Sequence, residues 1–379
     1  MPHKKIFKIL NLTLRVLYCN YERRKDVTLN RVTIILLFLF CAPFIHYFSV
    51  AAQGKNNNAA QAATVYSAQR LMVRQDYSAA REQINAILKK DPDNIHALYT
   101  LAVIEQSRIL DYESYTIEGK TFLQLADSLI KVLEARTARL SGADSVQALF
   151  YCANLVGGKG VIQAKCGDWF EGCKNAMASV NMLKQVKKLD PNHLGADLGI
   201  GVFDYYLSTT FKWVPFATGA GAERGLESIR RALNAPFPFN QAAKNTYCWI
   251  LIDRNQFAAA DSIAHAELVQ RPNNSLFLRI RAIVALWGGS YKSALVLGGK
   301  LVDNAQGRSP VNWSDLTSGY YITVSAYDNL GRKAEAYSAA CKVLDMPIPA
   351  AYKNVPHIKE HLKYISGVRS KYKQDGGGK

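Results

Sequence analysis

Tyr77 is followed three residues on by Ala80 and twelve further by Pro92, and the same spacing returns at Phe257, Ala260 and Pro272. Tyr291 and Ala294 repeat the first half of this pattern, and Gly331, Ala336 and Pro347 repeat its close. Each copy lies in Ala/Leu-rich sequence whose apolar residues keep helical spacing, and no segment alternates as a strand would. A unit of two helices with a proline stop cannot bury its apolar face alone, so successive copies must stack. The chain is therefore predicted to be all-α and elongated. Its 379 residues are too many for one small core, and 12 prolines with 49% hydrophobic residues exclude a mainly disordered chain.

In register, residues 61–94 place Ala68 and Ala80 at small positions and Pro92 at the stop, and Leu98, Leu101 and Ala102 open the next helix. Residues 241–274 and 275–308 form two consecutive units through Ala260, Pro272, Ala282 and Ala294. Residues 317–350 form another, marked by Tyr320, Tyr327, Gly331 and Ala336. Small residues suit the points where two helices approach closely, and proline ends the second helix. This pattern resembles the tetratricopeptide repeat. The resemblance implies a right-handed α-solenoid built from helix hairpins, a non-catalytic role and a groove that captures proteins or peptides. Gly167-Asp-Trp169, Leu189-Asp-Pro-Asn192, the Gly199-to-Tyr206 stretch and Glu223-Arg-Gly-Leu226 more narrowly resemble exported bacterial repeat proteins of largely unassigned function.

Counting helices gives about seven hairpins, near 63–90, 94–140, 145–189, 194–234, 239–270, 275–303 and 315–345, within a repeat domain over 63–350. Between 117 and 234 the helices are predicted to run longer than the repeat allows. A capping helix is expected within 351–371, polar on its outer side, as the end of an array requires. Residues 53–62 read as a flexible lead-in and 372–379 as a frayed tail.

Residues 32–52 carry no charge and follow Arg23, Arg24, Lys25 and Arg31. A basic flank, an apolar run and a small-residue ending at Ala51/Ala52 fit an export signal, and the same run is long enough to be a retained anchor. Export to the bacterial envelope or periplasm is expected on either reading. Residues 1–31 hold eight Lys/Arg against two Asp/Glu, so the rest keeps +11 of the net +17. That surplus favours acidic partners or anionic headgroups. The cations are scattered, which argues against nucleic acid. Five cysteines follow residue 52, an odd number at uneven spacing, and only Cys166 and Cys173 are placed to pair.

Val156-Gly-Gly-Lys-Gly160 lacks phosphate-loop spacing and a preceding strand, so its glycines are expected at a close helix crossing. His357 and His361 share a helical face, but no third metal ligand stands near them in sequence, so a solvated face is expected. No metal site, cofactor or catalytic motif is predicted. Tyr205, Tyr206, Phe211, Trp213 and Phe216 form an aromatic segment around a loop read as 207–221, suited to a binding lip or membrane contact, or else to filling the wider gap left by long helices. The resemblance assigns the inner face to the first helix of each hairpin. Its positions here are His96, Tyr99, Val103 and Gln106; Asn245, Trp249 and Ile252; Arg279, Ile283 and Leu286; and Tyr321, Ser325 and Asp328. Such residues suit peptide capture, or else packing against the next repeat. The first rival to a protein scaffold is a small-ligand or carbohydrate-capturing protein beside an outer-membrane transporter, which would show an aromatic pocket near Trp213. An enzyme would need titratable groups converging in one pocket.

Overall fold

A computed structural model describes residues 56–137, 141–210, 219–235 and 239–373. The charge-free run 32–52 and three of the aromatic-segment residues, Phe211, Trp213 and Phe216, lie outside the described residues. The described chain is an all-α solenoid without strands, made of seven antiparallel hairpins in sequence order. They are α1 (Asn56–Val73) with α2 (Tyr77–Leu88), α3 (Ile95–Tyr112) with α4 (Tyr115–Thr137), and α5 (Gly142–Lys165) with α6 (Trp169–Leu189). Next come α7 (Leu194–Thr210) with α8 (Gly219–Leu233), α9 (Phe239–Asp253) with α10 (Phe257–Gln270), and α11 (Ser275–Trp287) with α12 (Tyr291–Gln306). The last is α13 (Trp313–Asn329) with α14 (Lys333–Leu344), followed by a four-residue turn of helix, α15 (Ala350–Lys353), and the terminal α16 (Pro356–Tyr372). Helix α1 begins at Asn56, inside the stretch read as a lead-in; the alanines that follow are the strongest helix formers available.

The proline stop also starts the next hairpin. Two residues after Pro92, Pro272 and Pro310 stand Asn94, Asn274 and Asn312, whose side chains cap α3, α11 and α13 by accepting from Ala97, Phe277 and Asp315 amides at 3.0, 3.3 and 3.1 Å. Asparagine is among the strongest N-caps because its carbonyl satisfies an otherwise orphaned amide. After Pro191 the same place is held by His193, whose Nδ1 accepts from Ala196 at 3.1 Å.

Turns within hairpins need a left-handed residue to end the first helix. Gly167, Gly289 and Gly331 fill that role with φ of 94°, 76° and 69°, whereas Gln75, Glu113 and Asn255 adopt it at 66°, 52° and 57° despite their side chains.

The long middle hairpins cross closely through paired glycines. A Cβ on Gly160 would lie 2.8 Å from the Gly172 carbonyl, and one on Gly201 would lie 2.7 Å from the Gly225 carbonyl. The glycines of the 156–160 run thus serve helix crossing, as expected. Ala80, Ala260, Ala294 and Ala336 are all fully buried at the predicted small positions.

Candidate functional site

The two ends of the array meet. Gln75, in the α1–α2 turn, donates through Nε2 to Ser275 Oγ and to Asp111 Oδ2, both at 2.9 Å, and accepts the Ser275 amide at 2.8 Å. Asn274 Nδ2 donates to the Val73 carbonyl at 2.9 Å. Arg308, in the α12–α13 turn, pairs with Asp111 at 2.8 Å while its guanidinium lies 4.6 Å from the Tyr112 ring centre. Asn312 joins the groups: its Nδ2 donates to Asp315 Oδ2 at 3.1 Å and to the Asp111 carbonyl at 3.2 Å. Arg279 completes the set through Nε to Asp315 Oδ1 at 2.8 Å.

This seam is where titratable groups converge, so it is the natural place to look for chemistry. Asp111 and Asp315 are 1% and 0% exposed along their side chains. Burial pushes the Asp111 carboxyl above its ordinary value, opposed by Arg308 and reinforced by Asp315. Two carboxylates face two guanidiniums, so the charge balances. Tyr77 also donates to Asp111 at 3.0 Å, and all four carboxylate oxygens are engaged. These buried groups satisfy one another across the seam, and together they close the array.

The inner-face residues fall into three surroundings. On α3, Tyr99 is buried and stacks on Tyr151 of α5 at 3.8 Å, His96 Nδ1 lies 2.9 Å from the Tyr151 hydroxyl, and Gln106 presses against Gly158. Burial lowers His96 to about 4. On α9, Asn245 and Trp249 are half-buried, with Asn245 Oδ1 making no hydrogen bond. On α11 and α13, Arg279 is tied to Asp315, Tyr321 stacks on His361 of α16 at 4.3 Å, and Asp328 accepts from the Tyr364 hydroxyl at 3.3 Å and from Lys371 at 2.8 Å. Tyr321 and Asp328 thus lie beneath the terminal helix, and the α3 set packs against the next hairpin.

Two expectations are corrected. His357 and His361 do not line a solvated face. His357 Nε2 lies 3.0 Å from Ser314 Oγ, and burial together with Arg279 and Lys165 pushes the imidazole well below its ordinary value. The reason is that α16 is covered on two sides rather than one. Its residues 365, 368 and 372 cap α13 and α14 as predicted, while Val355 and Ile358 pack on residues of α3, α4 and α5. Second, the loop read as starting at Leu207 starts later: α7 continues to Thr210, and Tyr205 and Tyr206, both buried, follow the packing alternative, with Tyr205 against Gly225 of α8. Their contribution is packing. Among the described residues no group of three or more His, Cys, Asp or Glu is placed to hold a metal ion. Cys166 and Cys173 are free thiols.

Sequence reasoning did not find the seam, although one signal for it existed. Gln75 and Glu113 stand where glycine is the easier residue, and both side chains make long-range contacts: Gln75 in the seam, Glu113 with Lys165 of α5 at 2.7 Å.

No family matches this chain, and no curated protein does. Among solved structures it is similar to yeast Tom70, whose crystal structure aligns over 91% of this chain and 71% of its own at 13% identity and a TM-score of 0.41.

Proposed function

We propose that this protein is a non-catalytic helical-repeat scaffold that binds other proteins or peptides, and that it works in the bacterial cell envelope after export. The observation that carries the binding role is the array itself: seven stacked hairpins with half-buried Asn245 and Trp249 in inner-face register on α9. Trp249 packs one side of its ring on the α9–α11 core and leaves the rest partly exposed, and a half-buried tryptophan of this kind is the commonest interface anchor. The envelope role is supported by the charge-free run 32–52 behind its basic flank. No helix among the described residues is long and apolar enough to cross a membrane. A membrane-spanning anchor, on this reading, is residues 32–52.

Two experiments test this reading. Capture from crosslinked envelopes should fall more than tenfold in Trp249→Ala/Asn245→Ala, since truncating a true anchor costs about 2 kcal/mol or more. Unchanged capture with unchanged circular dichroism would remove α9 as the contact. An alkaline phosphatase fusion after residue 60 should be active and should lose that activity when residues 32–52 are deleted. Activity that survives the deletion would refute export through this segment.

A further inference from the structure

Beside the balanced charges of the seam lies a place where the charges do not balance. Asn274 Nδ2 holds the Val73 carbonyl at 2.9 Å, so the last turn of α1 lies against the turn between α10 and α11. Arg70 and Arg74 stand on that last turn. The Arg74 amide donates to the Arg70 carbonyl at 3.1 Å, which keeps helical register, and residues four apart share one face. Both are exposed, and neither makes an ion pair among the described residues.

Across the contact stands Arg271, whose carbonyl accepts from the Asn274 amide at 3.0 Å. Its Nη2 donates to Gln241 Oε1 of α9 at 2.7 Å and to buried Glu267 of α10, but its enclosed Nε meets no acceptor. Glu267 is already shared, since Lys244 Nζ of α9 lies 2.6 Å from it. Four cations therefore gather around one carboxylate. The negative end of the α1 dipole offsets about half a charge, which leaves an excess of about two. Burial lowers the Arg271 guanidinium from its ordinary value, and the charges of Arg74 and Arg70 lower it further; Lys244 is lowered by burial and then by Arg271. Elsewhere in the seam each guanidinium has a carboxylate of its own, Arg308 with Asp111 and Arg279 with Asp315.

We propose that Arg70, Arg74 and Arg271 form a binding site for a dianionic phosphate group, which bridges the first hairpin to the α10–α11 turn. A dianion matches the excess charge. Phosphate also offers enough oxygens to accept from several guanidiniums at once, which a single carboxylate does not. Because its ligands come from both sides of the contact, a bound phosphate holds the array closed. The proposal goes beyond the scaffold reading and does not depend on it.

The test uses the full chain, with inorganic phosphate as the probe. Thermal melts are recorded as phosphate is titrated at constant ionic strength, with sodium acetate as the balancing salt. The expected result is a saturable rise in melting temperature. In Arg70→Gln/Arg74→Gln the phosphate midpoint of that rise should move up at least tenfold. Without phosphate this variant should melt level with the unaltered chain or above it, because like charges have been removed. Lys89→Gln/Lys90→Gln removes the same charge from exposed positions at the other end of the first hairpin, where Asn94 meets Gln61, and should respond as the unaltered chain does. An equal response in all three proteins is what exclusion of phosphate from protein surfaces produces, and it would overturn the proposal, as would no response at all. Co-sedimentation with phosphatidylcholine vesicles, with and without phosphatidic acid, then identifies the source of the phosphate. Extra binding to the phosphatidic acid vesicles that Arg70→Gln/Arg74→Gln loses assigns it to a lipid headgroup. No extra binding, with the thermal response intact, assigns it to a soluble phosphate ester.

Discussion

Asn312 Nδ2 donates to the main-chain carbonyl of Asp111 at 3.2 Å, joining residues 201 positions apart and the second hairpin to the seventh. The same asparagine caps α13, so one side chain both starts a helix and closes the array. An open solenoid has free ends; in this one the seam and α16 cover the flanks of the early hairpins.

Removing one partner of the seam should cost far more than removing a balanced pair. Arg308→Met leaves Asp111 buried without its cation, which is expected to cost about 3–5 kcal/mol. Adding Asp111→Asn, which keeps a polar group for Gln75 and Tyr77, should recover part of that loss. Urea denaturation of the two variants checks the order. A double variant less stable than the single one would contradict the charge-pair account.

Gln75 and Asn255 share a left-handed backbone but differ in what their side chains do. Gly at either site relieves a strain of about 1 kcal/mol. At Asn255, which is exposed, Asn255→Gly should be neutral or slightly stabilising. Gln75→Gly strands the Ser275 amide and removes a donor to Asp111, a loss of about 1–3 kcal/mol that outweighs the relief. Thermal melts of both variants measure the contrast, and equal shifts would mean that the Gln75 side chain contributes nothing to closure.

His193 makes stability depend on pH. It is 2% exposed, lies 4.4 Å from the Phe150 ring and accepts a hydrogen bond at Nδ1, so burial lowers it from 6.5 to about 4. Above about pH 6.5 it is neutral whether folded or unfolded. Between pH 6.5 and 4 the unfolded chain takes the proton first, so stability falls with pH, by on the order of 3 kcal/mol at the lower end. His193→Asn keeps a capping oxygen and removes the titration. Its urea midpoint should therefore depend less on pH over that range, and an identical slope would show that other groups set it.

Much of the fold was legible because it rests on local spacing. The small alanines, the proline stops and the helical periodicity each report on neighbours within one hairpin or the next, and they placed all seven hairpins and the terminal helix. The seam was not legible, because Gln75, Asp111, Arg308 and Asn312 become neighbours only after a full succession of hairpins has curved the array back on itself. The inner-face register names residues on α3, α9, α11 and α13 but carries nothing about what covers them. Tyr321 and Asp328 carry no mark in the sequence that α16 will lie over them. The loop read as starting at Leu207 starts later, because the helix that crosses α8 through Gly201 and Gly225 runs on to Thr210.

The central claim, that the array closes on itself, is tested most directly by linking Gln75→Cys and Ser275→Cys in the full chain with a short bis-maleimide and mapping the products by mass spectrometry. Closure predicts an intramolecular link between peptides containing residues 75 and 275 as a major product at low protein concentration, lost under denaturant. Modification of both cysteines without any link between them, in a chain that keeps its helical spectrum, would contradict it.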